Sequence, residues 1–208
     1  MIKHRLLAVL ACAALGICCS TASMAKGLTY TYGEAGYDYL DSDTVDGDGL
    51  GGRLSYGATD HVHLRVDYTH FYSASKTNSG FFGSKSENVN IDRFVLGMGG
   101  NYTLLEKKSW IEALDILGTI SYYDAEFSGN SNNSDRGYVL EPGVRALFTK
   151  KLELNARVIH MHIDNFDEVG FGAGAVYKFY KKYSVVGKVS HFSQDDTNEA
   201  FVGIRVDF

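Results

Sequence analysis

The chain has 208 residues, of which 20 are basic and 25 are acidic, and 45% are hydrophobic. This length suits one domain and not two, and the acidic balance without a basic stretch argues against nucleic-acid binding. The single proline, 14 tyrosines, 12 phenylalanines and 23 glycines favour β-strands bounded by polar turns.

Residues 1–25 have the features of a secretory signal. Lys3 and Arg5 give a basic start, an uncharged apolar stretch follows, and Ala25 ends a small-residue cleavage motif. The apolar stretch is too short to span a bilayer as a helix, and no later stretch reaches the roughly 18 apolar residues that a spanning helix needs. The cysteines all lie in this segment, at Cys12, Cys18 and Cys19. Residues 26–208 are therefore expected to form one exported domain with no disulfide, no metal and no cofactor.

Ten segments of the exported chain alternate apolar side chains with polar or charged ones, which is the pattern of strands with one apolar face. In chain order these segments cover about residues 28–39, 50–58, 62–68, 91–102, 110–123, 138–148, 152–158, 170–180, 183–189 and 200–208. Short turns at residues 59–60, 106–108, 149–151 and 181–182 alternate with longer polar loops at 41–48, 72–88, 128–136 and 194–198. Pro142 lies inside the sixth segment, where it must break a ladder hydrogen bond or mark a bulge. If two of the weaker hairpins merge, the strand count falls to eight.

The alternation in the last segment indicates the environment of the strands most clearly. Its apolar positions lie on one face, at Ala200, Val202, Ile204, Val206 and Phe208, while Arg205 and Asp207 lie on the other. After an export signal, this alternation is typical of a membrane strand with its apolar face toward lipid and its charges toward a lumen. An even strand number, with short turns at one end and longer loops at the other, is typical of bacterial outer-membrane barrels. The sequence thus predicts an all-β fold, a transmembrane antiparallel up-and-down β-barrel of about ten strands.

The inward faces hold acids and bases in nearly equal number. The acids are Glu34, Asp38, Asp67, Asp115, Glu141, Glu153 and Asp207, and the bases are Arg53, Arg65, Arg93, Arg145, Arg157, Lys178, Lys188 and Arg205. A lysine or arginine facing lipid at the membrane midplane costs about 2 to 4 kcal/mol, so we expect these residues to pair across the lumen. Because eight to ten strands leave a lumen that side chains nearly fill, the sequence favours a mostly closed lumen over a small gated pore.

Four short stretches carry a family resemblance: residues 32–37 (YGEAGY), 46–51 (DGDGLG), 143–146 (GVRA) and 152–155 (LELN). With the export signal and the aromatic-ended last strand, they resemble the small outer-membrane β-barrel superfamily of Gram-negative bacteria, and within it the quorum-sensing-linked outer-membrane antigens. The resemblance covers the whole exported chain. It implies location in the outer membrane, with Phe208 as the signal read by the barrel-assembly machinery.

The expected role is structural or surface-interactive. We expect a monomer that contacts outer-membrane lipid and lipopolysaccharide and binds no nucleic acid. The polar loops at residues 72–88 and 128–136 are the expected contact surfaces, because such loops cannot pack a core.

One weak candidate for catalysis lies at the end of the ninth segment. His191, Ser193 and Gln194 resemble the His-x-Ser-Asn motif of outer-membrane lipid A deacylases, in which a histidine activates a serine for attack on an acyl ester. Gln replaces the Asn of the motif, and no orienting Glu lies at a matching position. We therefore expect no enzymatic activity, with a lipid A-modifying hydrolase as the alternative.

Two further groups could bind ions. Four histidines lie near the loop end, at His70, His160, His162 and His191. Their spacing favours separate rim residues over one metal site or an acid sensor. The acidic loop at residues 41–49 is similar in composition to a calcium loop, but Val45 stands where an oxygen ligand is needed and no Glu closes the loop. A solvated turn is the better interpretation, with weak divalent bridging to lipopolysaccharide phosphates as the alternative.

Overall fold

The structure, a computed structural model, describes residues 28–42, 45–80, 83–108, 110–128, 133–164, 166–194 and 196–208. Ten strands run through them: β1 Tyr32–Asp41, β2 Val45–Gly57, β3 Val62–Gly80, β4 Gly83–Lys108, β5 Ile111–Ser128, β6 Asn133–Thr149, β7 Leu152–Ile163, β8 Phe166–Tyr180, β9 Tyr183–Phe192 and β10 Thr197–Asp207. No helix in the described part of the chain has the length and apolar character needed to cross a membrane. The predicted signal at residues 1–25 lies outside the described residues.

The ten strands form one closed antiparallel barrel in which strands that follow each other in sequence are neighbours. Closure comes from β1 and β10, which pair from Tyr32 opposite Asp207 to Asp41 opposite Asn198. Because the sheet closes on itself, the terminal strands have no free edge, and their backbone groups are paired as well. The predicted ten-strand barrel is confirmed, and the eight-strand alternative is wrong.

The two ends of the barrel differ. The short-turn end holds the turns that join β2 to β3, β4 to β5, β6 to β7 and β8 to β9, together with the terminal Phe208. The hairpin end holds the other connections, and β3 to β6 extend furthest toward it. β4 has 26 residues, whereas β9 has 10 and β10 has 11. The barrel wall is therefore much taller on one side than on the other.

Several predicted loops contain paired strand. β3 and β4 continue through the predicted loop at residues 72–88 and pair up to Gly80 opposite Gly83. β5 and β6 extend into the predicted loop at residues 128–136 from both sides. β2 and β10 likewise begin inside the loops predicted at residues 41–48 and 194–198, at Val45 and Thr197. The loop predictions are wrong because Ser, Thr, Asn and Gly give no alternating burial pattern, while their backbone groups still pair across a hairpin.

Two details inside the predicted strands also differ. Residues 28–31 precede β1 instead of opening it, because they turn into the lumen at the short-turn end. Pro142 of β6 pairs with Gly118 of β5, but the pairing of β6 with β7 stops at Leu140 and resumes at Gly143 in the same register. The proline therefore breaks one ladder and makes no bulge, since it has no N–H to donate.

Two glycines face each other where the barrel closes. Gly36 of β1 lies opposite Gly203 of β10. A Cβ added to Gly36 would collide with the Val202 carbonyl oxygen, and one added to Gly203 would collide with the Ala35 carbonyl oxygen. The Phe201 ring covers both positions, with its Cζ 2.8 Å from either added Cβ. Side chains at these glycines would therefore push β1 and β10 apart or displace the ring.

We expect Gly36→Ala to impair closure and to lower the free energy of unfolding by about 1 to 3 kcal/mol, the usual cost of overpacking. The measurement is the folded fraction after refolding in detergent, read from the gel-mobility difference between unheated and heated samples. Gly118→Ala in β5 is the matched control, because a Cβ there meets nothing within 4 Å. Equal folded fractions for the two variants would contradict the role of the glycine pair.

Candidate functional site: the barrel lumen

Paired charges cross the middle of the lumen. Arg53 of β2 donates two hydrogen bonds to Asp67 of β3, at 2.8 and 2.9 Å. The Arg65 Nε lies 3.1 Å from Asp67, and its Nη1 lies 2.7 Å from Glu141 of β6. Arg157 of β7 approaches the other oxygen of Glu141 at 3.1 Å. Strand alternation explains this meeting, because every second residue of each strand faces the lumen.

Lys188 of β9 and Glu34 of β1 continue this layer. The Lys188 Nζ donates to Glu34 Oε2, and the Arg53 Nη1 lies 3.9 Å from the same oxygen. The Glu34 side chain is 1% exposed. We call the layer the middle belt; it consists of Glu34, Arg53, Arg65, Asp67, Glu141, Arg157 and Lys188. Each of its cations has a carboxylate within ion-pair distance, which is the condition under which buried charges are tolerated.

A second charged layer lies nearer the short-turn end. Arg145 of β6 forms a two-pronged pair with Glu153 of β7, with both N–O distances 2.7 Å. Arg205 of β10 donates to Asp207 at 2.8 Å, and its Nη1 lies 3.5 Å from Glu153. Lys178 of β8 reaches Asp207 at 2.8 Å. Two-pronged guanidinium–carboxylate pairs are among the strongest hydrogen-bonded contacts in proteins, so this layer joins β6, β7, β8 and β10 firmly.

The N-terminal strap, residues 28–31, crosses the lumen at the short-turn end. The Thr29 carbonyl oxygen accepts hydrogen bonds from Arg145 at 2.9 Å and from Arg205 at 3.1 Å. Because the same guanidinium groups pair with carboxylates, the strap and the charged layer form one network. The sequence pattern could not reveal the strap, since its residues continue the alternation of β1 without pairing as a strand.

Side chains of the strap fill this end of the lumen. The Tyr30 hydroxyl donates to Asp115 at 2.8 Å, and its ring stacks on His63 with 4.9 Å between ring centres. Leu28 is 2% exposed and lies in one apolar cluster with Leu147. These contacts reach β3, β5 and β6, so the strap spans the mouth of the barrel.

Apolar side chains line the lumen near the hairpin end. Two clusters lie there, one of Phe71, Ile91, Leu40, Val45 and Phe127 and the other of Val139, Ile159, Phe192, Tyr123 and Met161. The Arg93 guanidinium lies 5.3 Å from the centre of the Phe71 ring and pairs with Glu199 of β10. Glu199 was not among the residues predicted to face the lumen, although its position two residues before the inward-facing Phe201 indicates it. Apolar packing thus narrows the lumen at the hairpin end, above the charges.

Within the described residues, two main cavities remain in the lumen, of about 130 Å³ and 90 Å³, besides a pocket of about 20 Å³ at the short-turn end. The larger lies between the middle belt and the apolar clusters, and the smaller lies between the belt and the strap. Residues of the belt line both cavities and therefore separate them. Since a water molecule occupies about 30 Å³ in the liquid, each cavity has room for only a few waters.

Three other predicted site residues lie around these layers. Asp38 is 9% exposed and accepts a hydrogen bond from Thr69 at 3.3 Å. Asp115 is 1% exposed and is held by Tyr30. Phe208, the predicted assembly signal, follows β10 at the short-turn end, where its backbone N–H donates to the strap at 3.1 Å.

The catalytic candidates lie near the hairpin end. The His191 Nδ1 lies 3.0 Å from the Asn198 Oδ1 and 3.9 Å from an oxygen of Asp196. Ser193 lies in the turn after β9, and its backbone N–H donates to the Val169 carbonyl at 3.2 Å. Within the described residues, the structure therefore aims His191 at Asn198 and Asp196 and not at Ser193.

The other rim histidines pair with nearby aspartates. The His70 Nδ1 lies 2.9 Å from Asp92. The His162 Nδ1 lies 2.7 Å from Asp167, which the His160 Nε2 approaches at 3.6 Å. In the part of the chain that the structure describes, no group of three or more His, Cys, Asp or Glu side chains is placed to hold a metal ion.

Solved structures of other membrane barrels resemble this architecture. The translocator domain of the autotransporter NalP from Neisseria meningitidis is 12% identical, with a TM-score of 0.51, and the match covers 99% of this chain and 96% of that one. OprG from Pseudomonas aeruginosa is 13% identical, with a TM-score of 0.47 and coverage of 85% and 94%. The KdgM porin is 13% identical, with a TM-score of 0.42 and coverage of 85% and 99%. At such identities, the similarity to the NalP domain shows the fold alone.

A comparison with curated proteins finds no match. A family model described as "Outer membrane protein beta-barrel domain" matches residues 10–179. That match covers most of the closed ten-strand barrel described above. The chain therefore belongs to the outer-membrane protein β-barrel domain family, and its place is the outer membrane.

Proposed function

We propose that this protein is a closed outer-membrane barrel that holds a hairpin surface outside the cell and does not act as an open pore. Short turns face the periplasm in bacterial barrels, which assigns the short-turn end to the periplasm and the hairpin end to the exterior. The observation that carries the proposal is the filled lumen: within the described residues, the strap, the middle belt and the apolar clusters leave small cavities of about 130, 90 and 20 Å³.

The pairing of the luminal charges supports a structural role. A selective pore needs charged groups that passing ions can engage and leave again. Here Arg53, Arg65 and Lys188 already contact carboxylates of the same lumen. Removing one partner of a buried pair costs about 3 to 5 kcal/mol, because it leaves an uncompensated charge. Opening the belt for each passing solute would therefore be unfavourable.

The long strands support a surface role. About 9 to 11 residues suffice for a strand to cross the membrane, and β9 and β10 have 10 and 11. β4 has 26 residues and pairs with β3 up to Gly80 opposite Gly83. The surplus length forms a hairpin beyond the membrane whose sequence is rich in serine and asparagine, residue types that can form hydrogen bonds with partners at the cell surface.

The remaining parts of the proposal rest on the sequence. Residues 1–25 act as a cleaved export signal, and residues 26–208 form the mature domain. Phe208 is read by the barrel-assembly machinery, and the mature barrel is a monomer among outer-membrane lipid and lipopolysaccharide. The Gly-rich stretches at residues 32–37 and 46–51 support a relationship between the chain and the quorum-sensing-linked outer-membrane antigens.

In planar bilayers with concentrated KCl, the folded protein is expected to show no persistent conductance steps, because the belt separates the two cavities. Tyr30→Ala removes the ring and the hydroxyl that seal the strap against His63 and Asp115, so it should increase the frequency of brief openings. Steady conductance from the unaltered protein would overturn the closed-barrel proposal in favour of a gated pore.

The orientation can be tested with single cysteines, because all three native cysteines lie within residues 1–25. On intact cells, a membrane-impermeant maleimide should label Ser79→Cys in the long hairpin. It should label Lys151→Cys in a short turn only after the outer membrane has been permeabilised. The reverse pattern would contradict the proposed orientation.

The charged layers should be essential for stability. Arg145→Ala removes the two-pronged partner of Glu153 and one of the two hydrogen bonds to the Thr29 carbonyl, so it should lower the free energy of unfolding by about 3 kcal/mol. Arg136→Ala removes a pair in which the arginine side chain is 55% exposed, at 3.4 Å from the buried Asp124, and should cost less, about 1 kcal/mol, because an exposed cation gains little from pairing. Urea unfolding in lipid vesicles measures the free energy of unfolding of both variants. A similar decrease in the two would show that the luminal pair contributes no more to stability than the pair at Arg136.

A further inference from the structure

Three consecutive turns of the short-turn end each carry two lysines. They are Lys107 and Lys108 at the end of β4, Lys150 and Lys151 between β6 and β7, and Lys181 and Lys182 between β8 and β9. Because β4 to β9 are successive neighbours in the barrel, the three turns lie side by side along one rim. We call these six residues the basic arc.

The lysines of the basic arc whose side chains are described are exposed: Lys150, Lys151, Lys181 and Lys182. Within the described residues, none of these four has a carboxylate at ion-pair distance, whereas the neighbouring luminal Lys178 is paired with Asp207. The Lys181 Nζ lies 5.7 Å from the centre of the Tyr180 ring. These four lysines thus present positive charge that no carboxylate of the described residues neutralises.

Aromatic side chains mark the height of the arc relative to the membrane. Trp110 is 68% exposed, and its ring lies 5.7 Å from Phe148. Tyr180 is 56% exposed and stacks on Tyr183 with 6.3 Å between ring centres. Exposed aromatics form girdles at the membrane–water interface of barrels. Since the lysines directly adjoin these residues, they lie at the level of the lipid phosphates.

The opposite end of the barrel carries the reverse charge. Exposed acids near the hairpin end are Asp41, Asp46, Asp164, Asp167 and Asp196. These acids outnumber the exposed Arg136 of the same end, so among the described residues the hairpin end is the more acidic of the two. The arc is an open surface and not a pocket, so its partner must present many negative groups side by side at the height of the lipid headgroups. A leaflet that contains anionic phospholipid presents such an array.

We propose that the basic arc binds the headgroup phosphates of phosphatidylglycerol in the periplasmic leaflet of the outer membrane. The proposal rests on the orientation given under Proposed function. Each lysine near an anionic membrane surface increases affinity about fivefold, so the arc should enrich this lipid around the barrel. Because the attraction is electrostatic and exposed, salt should weaken it.

Trp110 is the only tryptophan and lies on this rim, so its fluorescence reports the local lipid. The barrel is reconstituted in vesicles that contain brominated phosphatidylglycerol or brominated phosphatidylcholine as quencher. Quenching by the anionic lipid should exceed quenching by the neutral one about threefold or more at low salt. The preference should fall to about equal when Lys150, Lys151, Lys181 and Lys182 are all replaced by Gln, and it should persist when they are replaced by Arg.

The control is the double variant Lys76→Gln and Lys85→Gln in the long hairpin, which should keep the preference. Equal quenching by both lipids in the unaltered protein, or an unchanged preference in the Gln variant, would overturn the proposal. Lysine-dependent sedimentation with peptidoglycan but no lipid preference would also overturn it and would favour a cell-wall partner. Conductance and cysteine labelling test the barrel's role separately, so failure here leaves those results standing.

Discussion

The pairing of β10 with β1 is the constraint on which the interior of this barrel depends. In a closed sheet, a slip of one residue would turn the luminal charges toward lipid and the apolar residues toward the lumen. Arg53, Arg65 and Arg157 come from three strands. They share the carboxylates of Asp67 and Glu141 because all five side chains face the lumen. Gly36 and Gly203 let the two terminal strands approach closely enough to hold that register. Backbone closure and charge pairing thus support each other.

The interior and the rims use charge in opposite ways. Inside, cations and carboxylates meet in pairs, as Arg145 and Glu153 do, so the lumen neutralises itself. At the rims the exposed charges are unequal: among the described residues, acids outnumber Arg136 at the hairpin end, and lysines outnumber Asp60 and Glu106 at the short-turn end. The interior therefore contributes stability, while the contacts that distinguish this protein from its surroundings lie at the two ends.

The alternating pattern predicted which residues of each strand face the lumen better than it predicted where each strand begins and ends. Alternation places Arg145 and Glu153 on inward faces, because a two-residue period needs no knowledge of the partner strand. It does not say that these two residues meet, since that depends on the register of β6 and β7. The hairpin at residues 72–88 and the strand position of Glu199 were missed because polar residues without an apolar face give no periodic signal. The N-terminal strap was missed for the opposite reason, since it continues a strand pattern without being a strand.

The strap also has a consequence for the timing of assembly. Its Thr29 carbonyl is bonded to one guanidinium from β6 and another from β10. These groups come within reach of a single carbonyl only once the last strand has found the first. The amino-terminal residues therefore gain their full set of hydrogen bonds only when the barrel is closed. In a nascent barrel that lacks the last strand, Arg205 would not hold this segment. Protection of the segment from proteolysis would therefore mark completed insertion.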